Sequence, residues 1–210
     1  MMRMTTIRYL LATVQLASAL LSSGSLEAAE PAAEPATTTN VVLKTDLGDI
    51  TIALETLRAP VTAANFLRYV DGKRLDGTSI YRAVKIGDEG KYGLVQGGLS
   101  GSTQQQLPAI AHEAPLVTGL RSVDGAVSMA RNEPGSARSE FFFIIGDLPS
   151  LDGAAGTDDQ GYAVFGRVVS GMDLVRTILL LPRKEDAEVA VMKGQMLQQP
   201  VKILSARRTD

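Results

Sequence analysis

After about residue 40 the chain is a succession of short runs in which apolar and polar residues alternate, broken every few positions by Gly, Pro or Asp. A period of two places successive side chains on opposite faces of an extended strand, so each run reads as a strand with one buried face. Val41 to Thr45 and Ile50 to Glu55 flank Asp46-Leu47-Gly48-Asp49, which predicts a hairpin. Further strands are expected at Ser79 to Val84, Gly93 to Gln96, Ala126 to Ala130, Glu140 to Ile145, Tyr162 to Val169 and Pro200 to Arg207. Only two segments change period. Pro60 to Tyr69 has Pro in its first turn, Val61, Ala64, Leu67 and Val70 and, less regularly, Phe66 making an apolar face, and Asp71-Gly72 to end it; Met172 to Leu180 is a second helix closed by Pro182. Many short strands with only two helices predict a mainly β fold, a closed antiparallel barrel whose ends the helices cover. Arg183 to Gln199 mixes charged and apolar residues and reads as a solvated connection or short helix before the final strand.

The first 39 residues follow neither period. Residues 1–29 carry Arg3 and Arg8 ahead of an apolar stretch from Tyr9 to Leu21, then small residues, the layout of a secretory signal peptide. That stretch is shorter than the roughly 20 residues needed to cross a bilayer and contains Gln15 and Ser18. Export with cleavage after Ser25, Ala28 or Ala29 is therefore expected, to the periplasm if the source has two membranes, with no stable membrane insertion afterwards. Residues 30–39, EPAAEPATTT, form an extended linker, leaving 40–210 as the domain.

Composition narrows the chemistry. There is no Cys and a single His112, so disulfides, thiolate nucleophiles, zinc fingers, iron–sulfur ligation and a multi-histidine metal site are excluded. A net charge of −2 without any dense Lys/Arg run points away from nucleic acid. His112-Glu113 could serve as an acid–base pair, but no G-x-S-x-G nucleophile motif accompanies it, and loop structure is the better reading. Asp152, Asp158 and Asp159 lack the spacing of an EF-hand and read as a solvated loop.

Five stretches in order are similar to the cyclophilin family of peptidyl-prolyl isomerases: Ile80-Tyr81-Arg82, Val95-Gln96-Gly97-Gly98, Ala126 to Arg131, Ser139 to Ile144 and Val164 to Val168. The helix carrying Thr62, Asn65 and Phe66 resembles a segment of the same family. The resemblance implies an eight-stranded antiparallel barrel capped by two α-helices, with an outer groove that binds extended proline-containing polypeptides as a monomer. It implies rotation about an Xaa-Pro bond, a reaction that breaks no bond and needs neither metal nor cofactor. Arg82 then matches the catalytic arginine. Gln96 matches the glutamine that orients it, Met129 and Ala130 match groove positions, and Arg131 stands where the family offers an asparagine. Phe142 matches the floor of the proline pocket, and Leu151, in Leu151-Asp152-Gly153, an apolar wall.

Several positions depart from that pattern. Gly93 replaces a Phe, which implies a missing apolar wall, with Tyr92 as a candidate substitute; Ser150 replaces a Trp, Tyr162 a His and Glu140 a Gln. An ionised Glu140 beside Arg82 is expected to occupy guanidinium donors that the substrate would use. Arg121, Arg131 and Arg138 are expected to give the groove a positive rim. These departures leave an alternative: a groove that holds proline segments, as a binding module or chaperone does, with little turnover.

Overall fold

A computed structural model describes residues 38–87, 90–100, 105–187 and 189–209; the expected signal peptide and most of the expected linker lie outside the described residues. Eight strands form the body: β1 Thr38–Thr45, β2 Gly48–Glu55, β3 Ser79–Ile86, β4 Tyr92–Gly98, β5 Ala126–Met129, β6 Phe141–Ile145, β7 Val164–Ser170 and β8 Met196–Thr209. They close into an antiparallel barrel in the order β1-β2-β7-β5-β6-β4-β3-β8. All eight expected strands are present. The largest differences are at β8, which starts four residues early, and at β1, which takes in the last two residues of the expected linker.

The hairpin forms because Thr45 pairs with Gly48 across Asp46-Leu47, and the Thr45 hydroxyl donates to the Gly48 carbonyl at 2.6 Å. Asp46 Oδ1 also accepts the Lys202 amide at 3.0 Å, which ties the turn to β8. Alternation does the rest. Val41, Leu43, Ile50, Ile52 and Leu54 all point inward and are fully buried.

Among the described residues three α-helices accompany the barrel, not two: α1 Pro60–Asp71, α2 Pro115–Thr118 and α3 Met172–Leu180. The additional α2 is a single turn, too short to produce the periodicity by which a helix is read from sequence. The helices expected from sequence, α1 and α3, pack on the strands. From α1, Phe66 meets Phe141 in a T-shaped contact at 5.3 Å and Phe165 at 5.2 Å, gathering the aromatic core. From α3, Val175, Ile178 and Leu179 are buried. Among the described residues no helix is long and apolar enough to cross a membrane.

Ala59, at the start of α1, has no side-chain oxygen to satisfy the first amides. Glu113 supplies it from 51 residues away: its carboxylate accepts the amides of Val61 at 3.0 Å and Thr62 at 2.8 Å and the Thr62 hydroxyl at 2.6 Å. Glu113 is thus committed to a helix end, where a negative charge is also favoured by the helix dipole. His112 beside it lies with Nε2 3.1 Å from the Gln160 carbonyl, a contact between two loops.

Candidate active site

The feature that builds the site is an irregularity in β3. Ile80 pairs with Gly97 and Arg82 with Gln96, so Tyr81 is an extra residue with no counterpart on β4, and the pairing with β8 shifts at the same point. In a regular strand Arg82 would share the face of Ile80, which is fully buried in the barrel. The bulge turns Arg82 outward, while Ala83 returns to the interior. Register then carries the outer face across the sheet: Arg82 lies opposite Gln96, Gln96 opposite Phe142, and Phe142 opposite Ser128. Phe141 and Phe143 take the opposite face and are fully buried in the core, as expected from the alternation.

On this face Arg82 is held from two sides. Its Nη1 donates to Gln96 Oε1 at 2.8 Å, and its Nε and Nη2 donate to Gln195 Oε1 at 2.9 and 2.5 Å. Gln195 is itself fixed, with Nε2 donating to the Val191 carbonyl at 3.0 Å and its carbonyl accepting from the Ala83 amide at 2.8 Å. A guanidinium has five N–H groups; three are engaged here, leaving two without a protein partner among the described residues. Burial lowers the Arg82 pKa from the ordinary arginine value, but arginine stays charged throughout the physiological range.

A directional chain of hydrogen bonds continues from Gln96. Its Nε2 donates to the Tyr81 hydroxyl at 2.9 Å, and that hydroxyl donates to Glu140 Oε2 at 2.5 Å. The Ser139 hydroxyl donates to Glu140 Oε1 at 3.0 Å. Burial first, then the Glu140 charge, pushes the Tyr81 pKa far above the usual tyrosine range, so the hydroxyl keeps the proton it donates. This corrects the expectation that Glu140 occupies Arg82: its carboxylate is engaged by Tyr81 and Ser139, and the guanidinium is held by neutral amides.

Arg82, Gln96, Ala130, Arg131, Glu140 and Tyr162 line one cavity of about 550 Å³. Three residues assigned to the groove from sequence do not line it. Met129 is 1% exposed because it falls on the inward face of β5, between Phe141 across the ladder and the core. Phe142 is on the outer face, but the Tyr162 ring stands on it in a T-shaped contact at 5.5 Å and covers it. Leu151 is partly buried against the core in a 3-10 turn, and reaches the site only through its carbonyl, which accepts the Tyr162 amide at 2.8 Å. The apolar lining comes instead from Ala130, Tyr162, Val191 and Met192.

Two further expectations change. Gly93 is not a missing wall: a Cβ there would overlap the Val84 carbonyl oxygen and lie 2.9 Å from Leu179 Cδ1, so the position faces α3 and must be small. Tyr92 does not line the cavity; it is half exposed and packs at Gly146. Arg121 is paired with Asp152 at 3.4 Å, and Asp152 also accepts the Ser122 amide at 2.7 Å, so this aspartate pins a loop.

Tyr81, Val191, Met192 and Gln195 were not foreseen. Tyr81 belongs to the site only through the bulge, and alternation alone assigns it no place beside Gln96. Gln195 lies 113 residues from Arg82 in a segment without periodicity, and no sequence signal points to it.

Comparison with known proteins places this geometry. The family described as cyclophilin type peptidyl-prolyl cis-trans isomerase/CLD matches residues 40–208. Peptidyl-prolyl cis-trans isomerase A of Dickeya dadantii is 38% identical over 164 residues, 77% of this chain and 82% of that protein. A peptidyl-prolyl cis-trans isomerase of Acinetobacter baylyi is 34% identical over 170 residues, 80% of this chain and 85% of that protein. Among solved structures, a cyclophilin type peptidyl-prolyl cis-trans isomerase of Cryptosporidium parvum, crystallised in the presence of the dipeptide Ala-Pro, superposes with a TM-score of 0.65. It covers 81% of this chain and 99% of its own, at 20% sequence identity.

Proposed function

The chain belongs to the cyclophilin type peptidyl-prolyl cis-trans isomerase family, and on that premise we propose that it isomerises Xaa-Pro bonds of exported proteins with Arg82 as its catalytic residue. The reaction rotates one peptide bond against a barrier of about 18–20 kcal/mol set by amide resonance. In the twisted transition state resonance is lost and the proline nitrogen regains a lone pair. The two N–H groups of Arg82 left free of protein partners donate to that nitrogen or to the substrate carbonyl. Such bonds strengthen as the amide twists, so they lower the barrier and do not merely bind the planar isomers.

Preorganisation is the contribution of the neighbours. Gln96 and Gln195 hold the guanidinium plane from two sides, so that little reorganisation is needed as the bond turns. Ala130, Tyr162 and Met192 offer the proline ring an apolar surface, Phe142 supports Tyr162 from beneath, and Arg131 borders the cavity. Glu140 acts at a distance, through Tyr81 and Gln96. The clamped arginine on the outer face of the barrel is the observation that carries this reading.

An isomerisation assay on an Xaa-Pro peptide with the parent chain and Arg82→Ala tests it. Loss of most of the rate above background is expected in the variant, with the fold kept, since Arg82 is only half buried. Equal rates for parent and variant would reject the catalytic assignment, and background rates for both would favour a binding module. Export rests on residues 1–29; cell fractionation of the full chain against a version lacking them tests it, retention of both in the cytoplasm being the contrary result.

A further inference from the structure

The charge of the cavity is opposite to that of the protein. The chain carries a net charge of −2, yet the cavity is lined by Arg82, Arg131 and Arg138 against the single carboxylate of Glu140. Elsewhere five arginines, Arg58, Arg121, Arg176, Arg207 and Arg208, each lie within 4.0 Å of an Asp or Glu oxygen, while Arg68, Arg74 and Arg183 are held by neutral oxygens, singly and on separate parts of the chain. Among the described residues no carboxylate pairs with any of the three in the cavity. Arg131 donates to the carbonyls of Gly161 and Asn132, and Arg138 to the carbonyl of Leu107 at 3.0 Å. A neutral carbonyl orients a guanidinium and leaves its charge uncompensated.

Arg131 is also preorganised. Its Cζ lies 5.0 Å from the centre of the Tyr162 ring, and Nε donates to Gly161 at 2.9 Å, so one face is fixed while two N–H groups remain. An anion that binds there meets a donor already in place, with less side-chain entropy to lose. Glu140, the one acid, is engaged by Tyr81 and Ser139 and does not neutralise the rim.

We propose that the groove selects proline segments bearing an Asp or Glu side chain within about three residues of the proline, read by Arg131 and Arg138. The inference rests on the isomerase reading and names its substrate class. An extended chain advances about 3.5 Å per residue. A proline seated beside Tyr162 therefore places the side chain of a residue one or two positions away within reach of the Arg131 guanidinium, whose Cζ lies 5.0 Å from the centre of that same ring.

The test uses the full chain and three peptides that differ only in Glu, Ala or Lys at one position flanking the Xaa-Pro bond. Isomerisation is followed by NMR exchange, which needs no coupling protease with a charge preference of its own, and binding by fluorescence anisotropy. The parent is expected to favour Glu over Ala by about two- to fivefold in kcat/KM, as one partly exposed ion pair provides, and Lys is expected to be worst. Raising the salt to about 0.5 M lowers the Glu/Ala ratio by screening. In Arg138→Gln the ratio falls part of the way to one, and in Arg131→Gln/Arg138→Gln it reaches one. A parent ratio of one or less, or a ratio that survives in the double variant, overturns the inference. If the parent turns over none of the peptides, the isomerase reading fails, and the ratio of binding affinities then decides the charge selectivity by itself.

Discussion

Removing the Tyr81 hydroxyl tests whether the chain from Arg82 to Glu140 acts as a unit. Tyr81→Phe keeps the ring and the bulge but deletes one atom, which both accepts from Gln96 and donates to Glu140. A hydrogen bond to a charged group contributes about 1.5–3 kcal/mol, and a buried amide left without an acceptor costs about 1–3 kcal/mol. Gln96 is 6% exposed and falls in the second class. The two losses share one oxygen and water can enter from the cavity, so about 2 kcal/mol is the expected destabilisation, a Tm lower by about 4–8 °C. Catalysis suffers separately. Without an acceptor for Nε2 the Gln96 amide can turn over and present its NH2 to the guanidinium, and a loss of about 1 kcal/mol of transition-state stabilisation lowers kcat roughly fivefold with KM little changed. The alkaline limb adds an independent signature. In the fold Tyr81 keeps its proton above the ordinary tyrosine range, whereas the unfolded chain loses it near pH 10, so its contribution is complete below about pH 10 and is lost as pH rises further. The stability of Tyr81→Phe should therefore decline less steeply than the parent's in alkali. Glu140→Gln retains an acceptor for the hydroxyl and should stay closer to the parent in kcat than Tyr81→Phe. Parent-like Tm, kcat and alkaline limb in Tyr81→Phe would refute the reasoning.

Three other outcomes follow from the packing. Gly93→Ala drives a Cβ into the Val84 carbonyl and toward Leu179, and should cost about 1–3 kcal/mol in urea denaturation; an unchanged midpoint would mean that α3 has room to move. Glu113→Ala removes the three contacts at the start of α1 and should cost about 1–2 kcal/mol; no loss would show that water satisfies that end equally well. Arg207 holds the Asp76 carboxyl below its ordinary pKa, chiefly by direct hydrogen bonding. This contribution is present above the unfolded value near pH 4 and is lost as pH falls through the folded one, so the stability gap between parent and Asp76→Asn should narrow in acid, a gap constant from pH 6 to pH 2 being the contrary result.

The barrel was legible because alternation reports directly which residues of a strand are buried, and Phe141 and Phe143 against Phe142 follow it residue by residue. Arg82 and Gln96 were found through motif order, not through any physical signal of their own. What escaped reading depends on contacts between distant parts of the chain. Gln195 reaches Arg82 only because β8 begins at Met196, earlier than its alternation suggests, in a stretch that includes Pro200 and the register shift opposite Tyr81. Gly93 was misjudged for the same reason: similarity along the sequence assigned it to the pocket, while its surroundings are set by Leu179 of α3. For Glu140, the expectation treated proximity to Arg82 as pairing. One intervening hydroxyl redirected the charge.

Closure of the sheet has a consequence for what this protein can safely handle. Chains awaiting proline isomerisation are extended and incompletely folded, the state in which exposed backbone most readily adds to any open β edge and seeds aggregation. Every strand of this barrel has a hydrogen-bonded neighbour on both sides. An extended segment laid across the outer face would meet side chains, and among the described residues no barrel strand lacks a neighbour for it to replace. A closed sheet of this kind gives an extended chain side chains to rest on and no edge from which to template further strands.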